Sequence, residues 1–294
     1  MIGLDSVNAY YDPKIKQARL AGLEGRDGWS FVRGDLADEG VLDTLPAGID
    51  RVIHLAAQAG VRYSIEAPLA YAHANLTGHT RVLEFARARG VRHTVYASSS
   101  SVYGANTSVP FREDDRTDDP VSFYGATKKS GEVLSQSYAR LYGLKLTGLR
   151  FFTVYGPMGR PDMAYFSFAE AIRAGRPIRL FNEGRMGRDF TYVDDIADGV
   201  VRALDRGDRP DDAVPHRLYN LGNDDPHALM EMVTLLEGAL GQEAVKELAP
   251  MQQGDVERTW ANIDRARGEL GYAPKVGLAD GLARFADWYR GWTG

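Results

Sequence analysis

His93-Thr94-Val95-Tyr96-Ala97-Ser98-Ser99-Ser100-Ser101 decides the fold, because an apolar run closes on four consecutive hydroxyls. Such a run suits a strand buried on both faces, as occurs in parallel sheets. Downstream, residues 121–141 carry a helical pattern, and Gly143 is well placed to stop it. Leu144-Lys145-Leu146-Thr147-Gly148-Leu149-Arg150 then reads as the next strand. Strand, crossover helix and strand make the repeating unit of an α/β sheet.

The same alternation runs upstream. Residues 30–35 read as a strand ending in a polar turn, and Arg51-Val52-Ile53-His54-Leu55-Ala56-Ala57 as a buried central one. Between 75 and 89, Leu76, Val82, Leu83 and Phe85 recur at helical spacing. Beyond Tyr155-Gly156-Pro157 the alternation loosens. Helices are expected over 164–174, 193–205, 227–240, 263–270 and 278–289, with short strands at 178–181 and 218–221. Residues 205–212 are charged and punctuated by Gly207 and Pro210, which predicts an exposed connector. The expected fold is α/β: a doubly wound parallel sheet with a smaller C-terminal substrate lobe. Residues 1–155 and 188–222 form the sheet domain in this reading, and 156–187 and 223–294 the lobe. Ligands then belong in the crevice at the strand C-termini.

Composition removes several classes of function. The chain has no cysteine, which excludes disulfides, thiolate chemistry and cysteine-based zinc sites. Six histidines show no ligand-like spacing, so no metal is assigned. A net charge of −5 argues against a nucleic-acid binder, which needs a basic face. No apolar run approaches membrane-spanning length, and Met1-Ile2-Gly3-Leu4-Asp5 lacks signal-peptide anatomy, making the cytoplasm the default location.

Tyr124-Gly125-Ala126-Thr127-Lys128 carries the chemistry. A Tyr and a Lys four apart share one helix face. A free phenol ionises near pH 10, and a nearby ammonium favours the phenolate, so the pair makes a base usable nearer neutrality. Tyr-x-x-x-Lys alone is a common accident. Its meaning comes from the preceding strand, whose terminal serines can hydrogen-bond the same substrate oxygen.

The order of these features resembles the extended short-chain dehydrogenase/reductase superfamily. The resemblance rests on Asp35, His54-Leu55-Ala56-Ala57, Asn75-Leu76-Thr77-Gly78, the serines, Tyr124/Lys128 and Arg150-Phe151-Phe152-Thr153-Val154-Tyr155-Gly156-Pro157. Within it, Ala56-Ala57-Gln58-Ala59-Gly60-Val61-Arg62-Tyr63-Ser64 and Gly156-Pro157-Met158-Gly159-Arg160-Pro161-Asp162-Met163 resemble the UDP-glucuronate 4-epimerases. So do the stretches 98–105, 184–192 and 250–256, and the similarity runs from about Asp5 to Trp288.

That resemblance implies an NAD-dependent isomerase acting at C4 of a UDP-sugar. Tyr124 would be the general base. Lys128 would lower its pKa and hold the cofactor ribose, and Ser99, three residues before Val102-Tyr103-Gly104, would pair with Tyr124. Asp5, Asp35, Leu36, Leu55, Ala56, Ala57 and Asn75 would line the cofactor. Ser100 and Ser101 would touch the sugar, and Thr153, with Ser101 or Arg160, would hold the uronate carboxylate. Arg188 is the expected diphosphate ligand, with Phe181, Asn182, Gln252 and Asp255 in the uridine and ribose pocket. Related dehydratases and decarboxylases carry an acidic residue directly after the active-site hydroxyl residue. Serines stand there in this chain, which favours epimerisation over elimination. A homodimer is expected, paired through helices at 75–89 and 121–141.

No Gly-x-x-Gly-x-x-Gly turn standing between a strand and the helix it opens, the usual pyrophosphate cradle, occurs in the sequence; Gly22, Gly25 and Gly28 have the spacing but lead into the strand at 30–35. Met1-Ile2-Gly3-Leu4-Asp5 resembles the family's second strand, so its first strand and helix have no counterpart. The expectation is a start upstream of Met1, with a truncated product as the alternative, and weak NAD binding by the 294 residues alone. Two other readings stand beside the leading one: a 4-epimerase of a neutral UDP-sugar, and a non-catalytic UDP-sugar-binding remnant.

Overall fold

Strands β1 (Ile2–Asp5) and β2 (Ser30–Arg33) pair in parallel, with Asp5 opposite Arg33. A second parallel sheet holds β3 (Arg51–His54), β4 (His93–Ser99), β5 (Leu146–Phe151) and β9 (His216–Leu221) in that order. These features come from a computed structural model, which describes residues 1–207 and 215–293. Among the described residues no strand joins the two sheets, so β1 and β3 are each paired on one side only. Ile53 and Leu55, of β3 and the turn after it, consequently lie 41% and 51% exposed, which is unusual beside a central strand.

The remaining strands build the lobe side. β8 (Gly187–Tyr192) pairs in parallel with β6 (Thr153–Tyr155) and antiparallel with β10 (Pro226–Ala228). β7 (Ile178–Leu180) pairs with β11 (Lys246–Leu248). The helices are α1 (Lys14–Ala21), α2 (Tyr63–Glu66), α3 (Pro68–Tyr71), α4 (Gly78–Arg89) and α5 (Phe123–Tyr142), followed by five more. Those are α6 (Ala164–Arg173), α7 (Val193–Arg206), α8 (Leu229–Leu240), α9 (Asp264–Leu270) and α10 (Leu278–Thr293). None is long and apolar enough to cross a membrane, among the described residues.

The ends of α5 show why the sequence was readable there. Ser122 Oγ accepts the Gly125 N–H at 3.0 Å, a side-chain cap on an otherwise orphaned donor. At the other end Gly143 turns left-handed at φ +68°, a conformation that costs glycine no Cβ clash. Differences are local. The helix expected from 75 begins as a single π-helical turn, Ala72–Thr77, before α4. α1, β6, β8, β10 and β11 were not anticipated. Of the expected connector 205–212, Asp205 and Arg206 end α7, and residues 208–212 lie outside the described residues.

Two apolar clusters hold the molecule together. One packs Tyr165, Phe166, Leu236, Leu282 and Phe285 within the lobe, and draws in Phe190 and Tyr192 of β8. The other packs Val95, Leu149 and Tyr219 of the sheet against Ile263, Ala266 and Leu270. That last segment had been assigned to the lobe. Its apolar positions pack against β9 and α7.

Candidate active site

β4 and β5 end side by side, Ser98 opposite Arg150 and Ser99 opposite Phe151, so the serine run opens at the C-terminal edge of the sheet. The four hydroxyls then part company. Ser98 Oγ turns inward and donates to Glu132 Oε1 at 2.7 Å. Ser99 keeps an extended backbone, and its Oγ accepts the Ser101 N–H at 3.2 Å, capping a 3₁₀ turn over Ser100–Tyr103. All four serines contribute to the lining of a cleft of about 770 Å³, with the Ser98 hydroxyl engaged by Glu132.

α5 supplies the opposite wall. Tyr124 and Lys128 both face this cleft, and the Lys128 Nζ donates to the Ala97 carbonyl of β4 at 3.0 Å. The Tyr71 ring of α3 meets the Tyr124 ring edge-on at 6.0 Å. Burial pushes the Tyr124 phenol above its ordinary pKa, opposed by the Arg160 charge and the Ser99 hydroxyl. Burial, with Arg160 adding to it, pulls Lys128 down to about 8. Arg160 is thus a second cation acting on the Tyr124 phenol, beside Lys128, whose Nζ sits 5.9 Å from the ring centroid while one of its N–H groups is donated to Ala97.

Arg160 reaches the cleft from the loop after β6. Its Nε and Nη2 each donate to one oxygen of Asp162 at 3.0 Å, a forked pair that fixes the guanidinium plane. Thr153, at the start of β6, lines the same cleft. Arg188 on β8 lines the far part, where its Nη2 donates to Asp255 Oδ1 at 2.8 Å and its Nη1 to the Glu257 carbonyl at 3.1 Å. Burial lowers the Arg188 pKa, and Asp255 resists that shift.

A second cavity of about 170 Å³ adjoins the first, with Leu55, Ala57 and Arg160 in the walls of both. Asp5, Asp35, Leu36 and Ala56 line it. Asp5 Oδ1 accepts the Val7 N–H at 2.6 Å, and Asp35 Oδ1 the Ala37 N–H at 2.9 Å. Each carboxylate is thus held by its own turn at the end of a strand.

Four expected site residues lie elsewhere. Asn75 is buried with its amide fully used: Oδ1 accepts the Gln58 N–H at 2.8 Å, while Nδ2 donates to the Gln58 carbonyl and to Thr127 Oγ1, both at 3.0 Å. It pins the 55–58 turn to α5. Phe181 is packed against the lobe cluster with Arg62 over its ring, and Asn182 Nδ2 donates to the Arg185 carbonyl. Gln252 sits in a turn whose carbonyl accepts the Asp255 N–H. None of these three side chains lines the cleft. Conversely, Arg19 of α1 lines it unannounced, its Nε bound to the Met158 carbonyl at 3.0 Å. That contact spans 139 positions, and no local pattern signals it.

A parallel sheet whose serine-tipped strand end faces a phenol and a buried ammonium of the neighbouring helix across a cleft defines a Rossmann-type enzyme. The chain belongs to the NAD dependent epimerase/dehydratase family, whose model matches residues 4–222. It is 48% identical to UDP-glucuronate 4-epimerase 3 of Arabidopsis thaliana over 99% of this chain and 71% of that protein. Against the probable UDP-glucuronate 4-epimerase of Rhizobium meliloti the identity is 45%, over 98% and 89%. The structure superposes on UDP-glucuronic acid 4-epimerase from Bacillus cereus, solved with UDP-glucuronic acid and NAD, with a TM-score of 0.91 and 31% identity. That match covers 99% of this chain and 91% of the other.

Proposed function

We propose that this chain is an NAD-dependent isomerase that inverts C4 of UDP-glucuronate to give UDP-galacturonate. The carrying observation is one cleft lined by Tyr124, Lys128, Ser99 and Arg160, with serines and no carboxylate directly after Ser99. Nearly full-length similarity to UDP-glucuronate 4-epimerases supports the reading.

The residues of the second cavity fit the adenosine end of NAD. Asp5 offers carboxylate oxygens to ribose hydroxyls, and Leu36 and Ala56 offer apolar walls. Leu55 and Ala57, shared by both cavities, lead from there to Tyr124 and Lys128. NAD, when bound, supplies the acceptor and donor of a hydride.

The chain's own residues handle the proton and the pose. Tyr124 takes the proton of the sugar 4-hydroxyl, and the Ser99 hydroxyl hydrogen-bonds the same oxygen. Lys128 holds the cofactor ribose with the N–H bonds left free by Ala97. Once the 4-keto sugar has turned over within the cleft, Tyr124 returns the proton to the inverted alcohol. The keto sugar is a β-keto acid, which loses carbon dioxide when its carboxylate carbon–carbon bond stands perpendicular to the carbonyl plane. Thr153, Ser100, Ser101 and Arg160 are placed to hold the carboxylate away from that geometry. Arg188 takes the diphosphate, and Asp255 beside it takes a ribose hydroxyl. The sheet part of the chain thus serves the cofactor, and the lobe with the loop after β6 serves the sugar nucleotide.

Incubating the NAD-loaded protein separately with UDP-glucuronate and UDP-glucose, with product analysis by NMR, tests this. Conversion of UDP-glucuronate alone, or far faster, is expected. Conversion of UDP-glucose alone overturns the substrate, and UDP-sugar binding without turnover of either overturns the enzyme.

The proposed assembly is a homodimer through α4 and α5, where Val133 and Leu141 stand 57% and 68% exposed. Light scattering that reports 32.4 kDa in solution would refute it. The proposed location is the cytoplasm, to be checked by cell fractionation.

A further inference from the structure

Asp162 belongs to no element, yet it joins the two cavities. It grips Arg160 through both oxygens at 3.0 Å, and its Oδ2 also accepts the Tyr10 hydroxyl at 3.1 Å. Tyr10 lines the second cavity, while Arg160 lines both. The chain of contacts therefore runs from the cofactor side, through a carboxylate, to the wall that faces Tyr124. Space for it has been kept open. Gly60 adopts φ +103°, and a Cβ there would meet the Tyr10 hydroxyl at 2.7 Å and Asp162 Oδ2 at 3.6 Å. Any side chain at 60 would be strained and would push this cluster apart.

Arginine has a long, freely rotating stem, and a lone guanidinium at a cleft mouth spends its time in solvent. A forked carboxylate removes that freedom and sets the plane. From these contacts we infer that Asp162 is a positioning residue, holding the Arg160 guanidinium against the cleft so that its charge acts on the Tyr124 phenol. The inference rests on the reading of Tyr124 as the base.

Four groups face the phenol: Ser99 from the end of β4, Tyr71 from α3, Lys128 from its own helix, and Arg160 from the loop. Of these, Arg160 and Ser99 oppose the upward push of burial. Arg160 in turn is faced by Asp162, Tyr124 and Tyr10.

Two effects of Asp162 have opposite signs, which makes the role testable. As a bare negative charge near the phenol it disfavours the phenolate, so removing it would lower the Tyr124 pKa. As the holder of Arg160 it favours the phenolate, so removing it raises the pKa. Positioning therefore predicts a rise for Asp162→Asn, of about 1 pH unit for the loss of one close cation.

The experiment follows the acidic limb of kcat/KM against pH in the NAD-loaded protein, for wild type, Asp162→Asn, Asp162→Glu and Tyr10→Phe. Ultraviolet difference titration of Tyr124, taken against Tyr124→Phe, gives a second readout that needs no turnover. In Asp162→Asn both midpoints should rise, with activity at neutral pH about tenfold lower and regained on raising the pH. Asp162→Glu should restore much of the shift, and Tyr10→Phe should show a smaller rise. A midpoint that stays put or falls in Asp162→Asn, with Tyr124→Phe inactive, overturns the inference alone. Undiminished turnover by Tyr124→Phe would overturn the reading of the base, and this inference with it.

Discussion

Removing the Glu132 carboxylate should unfold the protein more readily than almost any other single change near the site. Arg150 is 1% exposed and Glu132 2%, and the two form a fork: Nε to Oε1 at 2.8 Å and Nη2 to Oε2 at 2.9 Å. The free Nη1 donates to the Tyr103 hydroxyl at 3.1 Å and the Glu113 carbonyl at 3.0 Å. Ser98 completes the carboxylate, and Tyr103 passes the network on to Asn220 at 2.6 Å. Four of the five guanidinium N–H groups thus have a protein partner, and Lys129 Nζ stands 3.5 Å from Glu132 Oε2 as well. Glu132→Ala leaves a buried guanidinium with two N–H groups unpaired, at a cost of about 3–5 kcal/mol. The lost Ser98 bond adds about 1 kcal/mol. In a chain this size the sum lowers Tm by roughly 6 °C or more.

The pH dependence carries the same sign. Burial raises the Glu132 carboxyl, but the Arg150 hydrogen bonds and charge outweigh it and hold the pKa below the ordinary value. Its contribution is thus fully present above about pH 4.3, the unfolded value, and is lost as pH falls through the lower folded one. Nearby Glu113 is displaced the other way, chiefly by burial, so wild-type acid unfolding mixes two opposing trends. The clean assay is urea unfolding of wild type, Glu132→Ala, Arg150→Met and the double variant at neutral pH. The double variant should cost less than the sum of the singles by about 2 kcal/mol or more, because it buries no orphaned charge. Additive losses, or a Glu132→Ala loss under about 1 kcal/mol, would refute the coupling.

Three further outcomes follow from the site. Tyr124→Phe should lower kcat by about 10²–10⁴ with little change in KM, measured on UDP-glucuronate; a tenth of wild-type turnover remaining would remove Tyr124 as the base. Arg188→Ala should raise KM for the UDP-sugar by roughly 10–100-fold and change kcat far less, since one charged hydrogen-bonding group is worth about 1.5–3 kcal/mol; a fall in kcat at unchanged KM contradicts diphosphate binding. Asn75→Ala should cost about 1–3 kcal/mol of stability in a denaturant series, because the Gln58 N–H and carbonyl lose their shared partner. A loss under about half a kcal/mol would mean the turn at 55–58 is held by something else.

What the sequence made legible is what local chemistry determines. The strand over His93–Ser99 and the helix over Phe123–Tyr142 follow from apolar runs, a serine cap and a terminal glycine, all short-range signals. A helix fixes Tyr124 and Lys128 on one face whatever surrounds them, so that pair was visible at once. β8 was missed for a related reason. Gly187-Arg188-Asp189-Phe190-Thr191-Tyr192 has no apolar alternation, and its Asp189 is buried only because the backbone N–H groups of Ala261, Asn223 and Asp224 converge on it. Asn75 is bonded wholly within the protein, and a buried amide inside the fold and an amide facing a ligand look alike in one dimension.

Arg160 shows the limit most plainly. Its residue type and its neighbourhood suggested a carboxylate ligand, and a lysine one helical turn from Tyr124 was the obvious cation for the phenol. Which positive charge acts on the base depends on where each side chain is anchored. Lys128 is drawn to the Ala97 carbonyl, and Arg160 is gripped by Asp162, which a tyrosine 152 positions away also holds. An anchor of that kind is a tertiary property, written in no window of the sequence. The same argument applies to the incoming sugar. In the proposed pose, a uronate carboxylate at Thr153 and the serines would compete with Asp162 for Arg160. Loading a uronic acid should then raise the Tyr124 midpoint in ultraviolet difference titration relative to a neutral sugar, and an unchanged or lower midpoint would refute the competition.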